Sequence, residues 1–185
     1  MRVVVGITGA SGAIYGITIL EHLKSRRIET HLIISRWAHH TIELETGYTP
    51  EQVAALADRC YPADDMAAAV SSGSFAHSGM IIAPCSMKTL AAIASGYSDS
   101  LIARAADVTI KEGRRLVLMP RETPLSPIHL ENMSKLARLG VVIMPPVPAF
   151  YHRPASVEDV VKQSAGRALA LLGIKNDLFR QWEGK

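Results

Sequence analysis

The chain has 185 residues, 48% of them hydrophobic and 20% charged, with a formal net charge of +3. This is enough apolar material for one substantial core and does not demand a second domain, so residues 1–185 are read as a single α/β domain. Basic residues are dispersed apart from Arg26-Arg27 and Arg114-Arg115, which excludes the basic stripe with interleaved aromatics of a nucleic-acid binder. No apolar run approaches a membrane span and no charged leader with a cleavage site precedes the first apolar segment, so a cytoplasmic protein without a membrane partner is expected. Cys60 and Cys85 form neither a disulfide framework nor a metal spacing, and Cys85 in its apolar context reads as a packed, reduced thiol.

The chain opens on Val3-Val4-Val5-Gly6-Ile7-Thr8-Gly9-Ala10-Ser11-Gly12-Ala13, a β-branched run emptying into a Gly/Ser turn that starts an apolar-periodic segment. Strand, turn and helix in that order bring free backbone N–H groups and the positive end of a helix to one place, which suits an anionic group. The spacing lacks the close glycine pair of G-x-G-x-x-G, and no G-K-[ST] follows, so NAD and ATP lose ground to a mononucleotide such as FMN. Tight strand-to-helix packing at Gly9 and Gly12 is the competing explanation.

Further apolar runs at residues 30–35, 80–84, 116–120 and 141–145 join the first at 2–7. They are continuous rather than alternating, which marks strands covered on both faces, and helical periodicity fills the intervals at 13–25, 38–46, 50–56, 88–95, 101–112, 127–139 and 156–172. Pro50 and Pro127 suit first-turn positions, and Ser156 with Asp159 matches a capping arrangement. The pattern predicts a Rossmann-like, flavodoxin-like doubly wound parallel sheet with helices on both faces. Ligands in such sheets bind beyond the carboxyl ends of the strands, which would align Ser11, Ser35, Ser86 and Arg121 along one edge.

Two irregular segments stand apart, the Ser/Gly-rich residues 71–78 and the proline-stiffened residues 145–154 with Phe150, Tyr151 and His152. Ser86, Lys88 and Thr89 begin a helix directly after a strand, which serves either as an anion or flavin-edge site or as an ordinary N-cap. Arg104 and Lys111, seven residues apart, share a helix face, either solvated or turned to a ligand. Arg121 and Glu122 follow a strand, where site residues collect. His39-His40 lacks the partners of a metal site, and no metal is expected. No G-x-S-x-G elbow supports a hydrolase.

Taken in order, Gly9-Ala10-Ser11-Gly12-Ala13, Pro84-Cys85-Ser86-Met87-Lys88-Thr89, Arg104-Ala105-Ala106-Asp107-Val108, Pro120-Arg121-Glu122-Thr123-Pro124-Leu125 and Met144-Pro145-Pro146-Val147-Pro148-Ala149-Phe150-Tyr151 resemble the flavin prenyltransferases of the UbiX and Pad type. The resemblance spans nearly the whole chain. It implies an FMN-binding domain that joins the dimethylallyl group of dimethylallyl phosphate to N5 and C6 of reduced FMN, the product serving a UbiD-type decarboxylase. By the same resemblance Gly9, Ala10, Ser11, Ser35, Ser86, Met87, Lys88, Thr89 and Arg121 hold the flavin. Tyr151, Arg167, Arg104, Lys111 and Glu122 hold the prenyl phosphate, and Ser11, Lys111, Glu122 and Trp182 are catalytic. A large homo-oligomer, commonly a dodecamer, with sites between subunits is implied as well.

Two rivals keep the same flavin loop. An FMN-dependent aromatic acid decarboxylase needs an electron sink that plain FMN supplies poorly. A flavin carrier without turnover would need neither Lys111, Glu122, Tyr151 nor Arg167.

Overall fold

In a computed structural model, which describes residues 1–184, six parallel strands lie in the order β3-β2-β1-β4-β5-β6. The strands are β1 (Arg2–Ile7), β2 (Glu29–Ile34), β3 (Arg59–Tyr61), β4 (Gly79–Cys85), β5 (Arg115–Pro120) and β6 (Val142–Ile143). Between and after them run α1 (Ala13–Ser25), α2 (Arg36–Glu45), α3 (Pro50–Ala54), α4 (Met87–Ser95), α5 (Leu101–Lys111), α6 (Pro127–Arg138) and α7 (Val157–Leu171), with a 3-10 turn at Ala69–Ser71.

The continuous apolar runs have the expected cause. Val3, Val5, Ile7, Ile81 and Val117 enter a core made with α1 and α7, whereas Val4, Met80, Ile82, Leu116 and Leu118 enter a second core beneath α4, α5 and α6. Helices and apolar side chains cover both sheet faces, and every residue of β4 is buried. Thr49 and Ser156 cap α3 and α7 through reciprocal capping boxes, and Ser126 does so for α6, with Pro50 and Pro127 in first turns. Each such cap is worth roughly 1 kcal/mol.

Two expectations are corrected. Residues 59–61 form an edge strand where none was predicted, because a three-residue edge with two exposed members carries no apolar run. The predicted strand at 141–145 shrinks to Val142–Ile143, since two prolines follow and cannot donate to a ladder. Without β3 the strand order is that of flavodoxin; with it, the order is that of a Rossmann sheet. In either description the chain reverses direction across the sheet between β1 and β4, which opens a crevice there.

Candidate active site

Thr8, fully buried, fixes that crevice. Its hydroxyl donates to the Pro84 carbonyl at 2.7 Å and accepts the Ser86 N–H at 2.8 Å, tying the end of β1 to the end of β4. The Ser35 N–H donates to the Ile7 carbonyl at 2.9 Å, which brings the start of α2 to the same point. The three loops therefore converge by backbone geometry before any ligand arrives.

A cavity of about 1110 Å³ lies above them. Three helices aim their N-termini into it, each capped by a serine on the cavity wall. Ser35 accepts from the Ala38 N–H, Ser86 from the Thr89 N–H and Ser100 from the Ala103 N–H. Three positive helix ends, with Lys88 and Arg36 nearby, make the pocket attractive to phosphate. Ile34, Trp37, Tyr61 and Ile102 give the wall apolar and aromatic faces suited to a planar heterocycle, and Asp64, Asp99, His39 and His40 add polar groups between them. Lys88 reaches Asp99 at 3.7 Å across the rim. Partial desolvation against the cavity wall pushes the Cys60 thiol, which keeps an exposed face, and the Tyr61 phenol upward in pKa, so both groups are neutral at pH 7.

Of the flavin residues expected from sequence, Gly9, Ser35, Ser86, Lys88 and Thr89 line this cavity. Ala10 and Ser11 continue the β1–α1 loop beside it, Met87 opens α4, and Arg121 stands exposed just beyond β5 with its N–H on the Cys85 carbonyl. Trp37, Tyr61 and Ser100 were not expected. Glu45 was missed too: its carboxylate accepts the Gly12 N–H at 2.7 Å, setting a negative charge on the first glycine loop from the end of α2. No local signal marks these residues, because they reach the site from three elements, Trp37 and Glu45 from the two ends of α2, Tyr61 from β3 and Ser100 from the start of α5.

The expected prenyl-phosphate residues are not gathered in one place within a single chain. Arg104 and Lys111 do share a face of α5, and both lie on the Ser/Gly-rich segment. Arg104 donates to the Ser71 carbonyl at 3.1 Å and pairs with Asp107 at 2.7 Å. Lys111 pairs with Glu112, lowering that carboxyl's pKa, and its ammonium is 2.7 Å from where a side-chain carbon on Gly73 would stand. Arg114 braces the same segment through the Gly73 and Phe75 carbonyls. Lys111 thus stands at the amino end of the sheet, whereas exposed Glu122 lies past the carboxyl end of β5. Six strand residues separate the two levels by about 20 Å.

Tyr151 and Trp182 form a third group, their rings edge to face with centroids 5.8 Å apart. Arg167 is exposed on α7. Among the described residues, no cluster of three His, Cys, Asp or Glu side chains is arranged to hold a metal ion, and no helix is long and apolar enough to cross a membrane.

Residues 1–169 match the family model described as Flavoprotein. The flavin prenyltransferase LpdB of Lactiplantibacillus plantarum is 56% identical over 184 residues, covering 99% of this chain and 98% of that protein. The chain belongs to the flavin prenyltransferases. Among solved relatives, AnUbiX (PadA1), crystallised in complex with FMN and dimethylallyl pyrophosphate, is 56% identical with a TM-score of 0.97, covering 100% of this chain and 98% of that one. A dodecameric FMN-dependent UbiX-like decarboxylase from Escherichia coli O157:H7 is 54% identical, also with a TM-score of 0.97, each chain covered completely.

Proposed function

We infer that this flavin prenyltransferase joins the dimethylallyl group of dimethylallyl phosphate to N5 and C6 of reduced FMN, and that the prenylated flavin serves a UbiD-type decarboxylase. The observation that carries the reading is the cavity at the β1–β4 crevice. It combines three helix N-termini with an aromatic wall, in a chain that superposes over its whole length on a relative crystallised with FMN and a dimethylallyl diphosphate.

The residues fit FMN. Ser35, Ser86, Lys88 and Thr89 supply hydroxyl, ammonium and helix-end donors for its phosphate and ribityl groups, and Gly9, Ala10, Ser11, Met87 and Arg121 border the space for its ring. When bound, the reduced flavin supplies the carbon and nitrogen nucleophiles. The protein must then stabilise a leaving phosphate and an allylic cation. Arg104, Lys111 and Arg167 are assigned to the phosphate, where fixed cationic donors gain strength as charge grows, and Tyr151 is assigned to the prenyl phosphate through its ring, its hydroxyl being donated to the Arg180 carbonyl. The rings of Tyr151 and Trp182 face the prenyl cation. Ser11 moves the proton lost at N5, while Glu122 and Lys111 hold the departing phosphate, which would give a proton to the prenyl double bond and take up the one lost from C6 as the second bond closes.

Lys111 and Glu122 stand at opposite ends of β5, so a site containing both is assembled from two copies of the chain. A homo-oligomer follows, with the dodecamer of the E. coli O157:H7 relative as its pattern. The chain lacks the D-D-x-x-D type acidic cluster through which diphosphate prenyl transfer usually recruits Mg²⁺; Asp64-Asp65 has no such continuation. We assign a metal-independent reaction in one flavin-binding domain, in the cytoplasm.

The test is anaerobic incubation with reduced FMN and dimethylallyl phosphate in EDTA, followed by the mass of the flavin, with the diphosphate run in parallel. A gain of one C₅H₈ unit supports the transferase. Unchanged, tightly bound FMN returns the carrier reading, and carbon dioxide released from a hydroxybenzoic acid without a second protein returns the decarboxylase.

A further inference from the structure

Gln163, on α7, is a buried amide that touches no part of the flavin cavity yet has both ends of its side chain engaged. Its Nε2 donates to the Tyr151 hydroxyl at 2.6 Å and to the Arg180 carbonyl at 3.2 Å, and its Oε1 accepts the Arg180 N–H at 3.0 Å. The Tyr151 hydroxyl closes the triangle by donating to the same Arg180 carbonyl at 2.6 Å. One side chain therefore joins the proline-stiffened loop to the segment after α7, two residues before Trp182.

A second contact fixes the same segment independently. Gly166 lies one helical turn beyond Gln163, and a Cβ there would stand 2.7 Å from Asn176 Oδ1, 2.8 Å from Leu178 Cβ and 2.9 Å from the Phe179 nitrogen. Asn176 in turn donates to the Gly166 carbonyl at 2.9 Å. The segment lies directly on the helix backbone at a place only glycine leaves open. Arg167, the next residue, is exposed beside this contact.

We propose that Gln163 is a positioning residue: with Gly166 it seats residues 176–182 on α7, so that Tyr151 and Trp182 are presented as one aromatic wall toward the prenyl group. The proposal rests on the roles given to Tyr151 and Trp182 above. Gln163 itself touches no reacting atom. It acts by limiting the freedom of two aromatic side chains that are 45% and 62% exposed even when seated, and that few packing contacts would otherwise hold in one orientation.

The experiment compares Gln163→Ala, Gln163→Glu and Gly166→Ala in the full-length oligomer. Trypsin cleavage after Arg180, followed by intact mass, reads whether the segment is seated, because that carbonyl is hydrogen-bonded in the closed arrangement. Cleavage is expected to quicken about tenfold when two or three such bonds are lost. In the same variants KM for dimethylallyl phosphate is expected to rise about tenfold, with FMN affinity unchanged. Gln163→Glu keeps the acceptor for the Arg180 N–H and is expected to fall between the parent and Gln163→Ala.

Faster cleavage with an unchanged KM would overturn the proposal and leave the contact purely structural. Unchanged cleavage in both Gln163→Ala and Gly166→Ala would overturn it too, since the segment would then not be held as described. Tyr151→Ala and Trp182→Ala separate this from the underlying reading: if neither alters prenyl transfer, the roles of the two rings fail, whatever Gln163 does.

Discussion

Gly9→Ala tests how the first loop meets the flavin cavity. An alanine Cβ there would lie 2.4 Å from the Trp37 Cβ, and 3.2 and 3.3 Å from the Trp37 carbonyl carbon and Cα. Rotating the indole relieves none of these contacts, because all three atoms precede its first side-chain torsion. Carbon atoms rest at about 3.5–4.0 Å, so the loop and the first turn of α2 must separate by roughly 1 Å. Overpacking of this kind costs about 1–3 kcal/mol, and it moves Ser35 and the N-terminus of α2 relative to Ser86. Weakening of FMN binding by about tenfold, or ~1.4 kcal/mol, is expected. Thermal unfolding and a flavin-fluorescence titration measure the two effects. Gly47→Ala is the control, since nothing lies within 4 Å of its Cβ position, and a change within about 0.5 kcal/mol is expected. A Gly9→Ala protein with the parent's Tm and FMN Kd would refute the packing argument.

Thr8→Val preserves shape but strands the Ser86 N–H at the mouth of the crevice, and a loss of about 1–3 kcal/mol in urea denaturation is expected, with weaker FMN binding. Burial lowers the pKa of His22, aided by Arg26, and burial likewise lowers that of His77, with Arg114 adding to it. Their unfolded forms bind protons more readily, so stability is complete above about pH 6.5 and declines as the pH falls below it; a His22→Leu chain should show a shallower decline of urea midpoint between pH 7 and 5. In the native protein Cys60 is exposed on the cavity wall, whereas Cys85 is buried with its pKa pushed far up. One thiol should therefore react with a disulfide reagent, more slowly once FMN is added, and two rapid thiols would contradict the fold described. Lys111→Ala and Glu122→Gln should each abolish transfer, yet subunits mixed in equal amounts should recover about one quarter of parental activity if every site draws the two residues from different copies. Zero recovery would place both residues in one chain's site.

Much of this was legible along the chain. The four longer strands, β1, β2, β4 and β5, are written as apolar runs because helices cover both faces of the sheet, and Pro50, Pro127 and Ser156 announce helix starts through backbone chemistry that acts within four residues. Gly9, Ser35, Ser86, Lys88 and Thr89 were readable as site candidates because each stands where a strand gives way to a helix. Residues 59–61 were not, since an edge strand half open to water needs no apolar pattern. Only the tertiary structure set β1 between β2 and β4, and so closed one cavity from loops far apart in sequence. It also turned Glu45 back onto Gly12, clasped Tyr151 to Arg180 through Gln163, and set Lys111 and Glu122 at opposite ends of a strand. Hydrophobic periodicity records whether a residue is covered, because burial leaves its mark on each position separately; which residue covers it depends on strand order, and strand order is settled by the packing of the whole sheet.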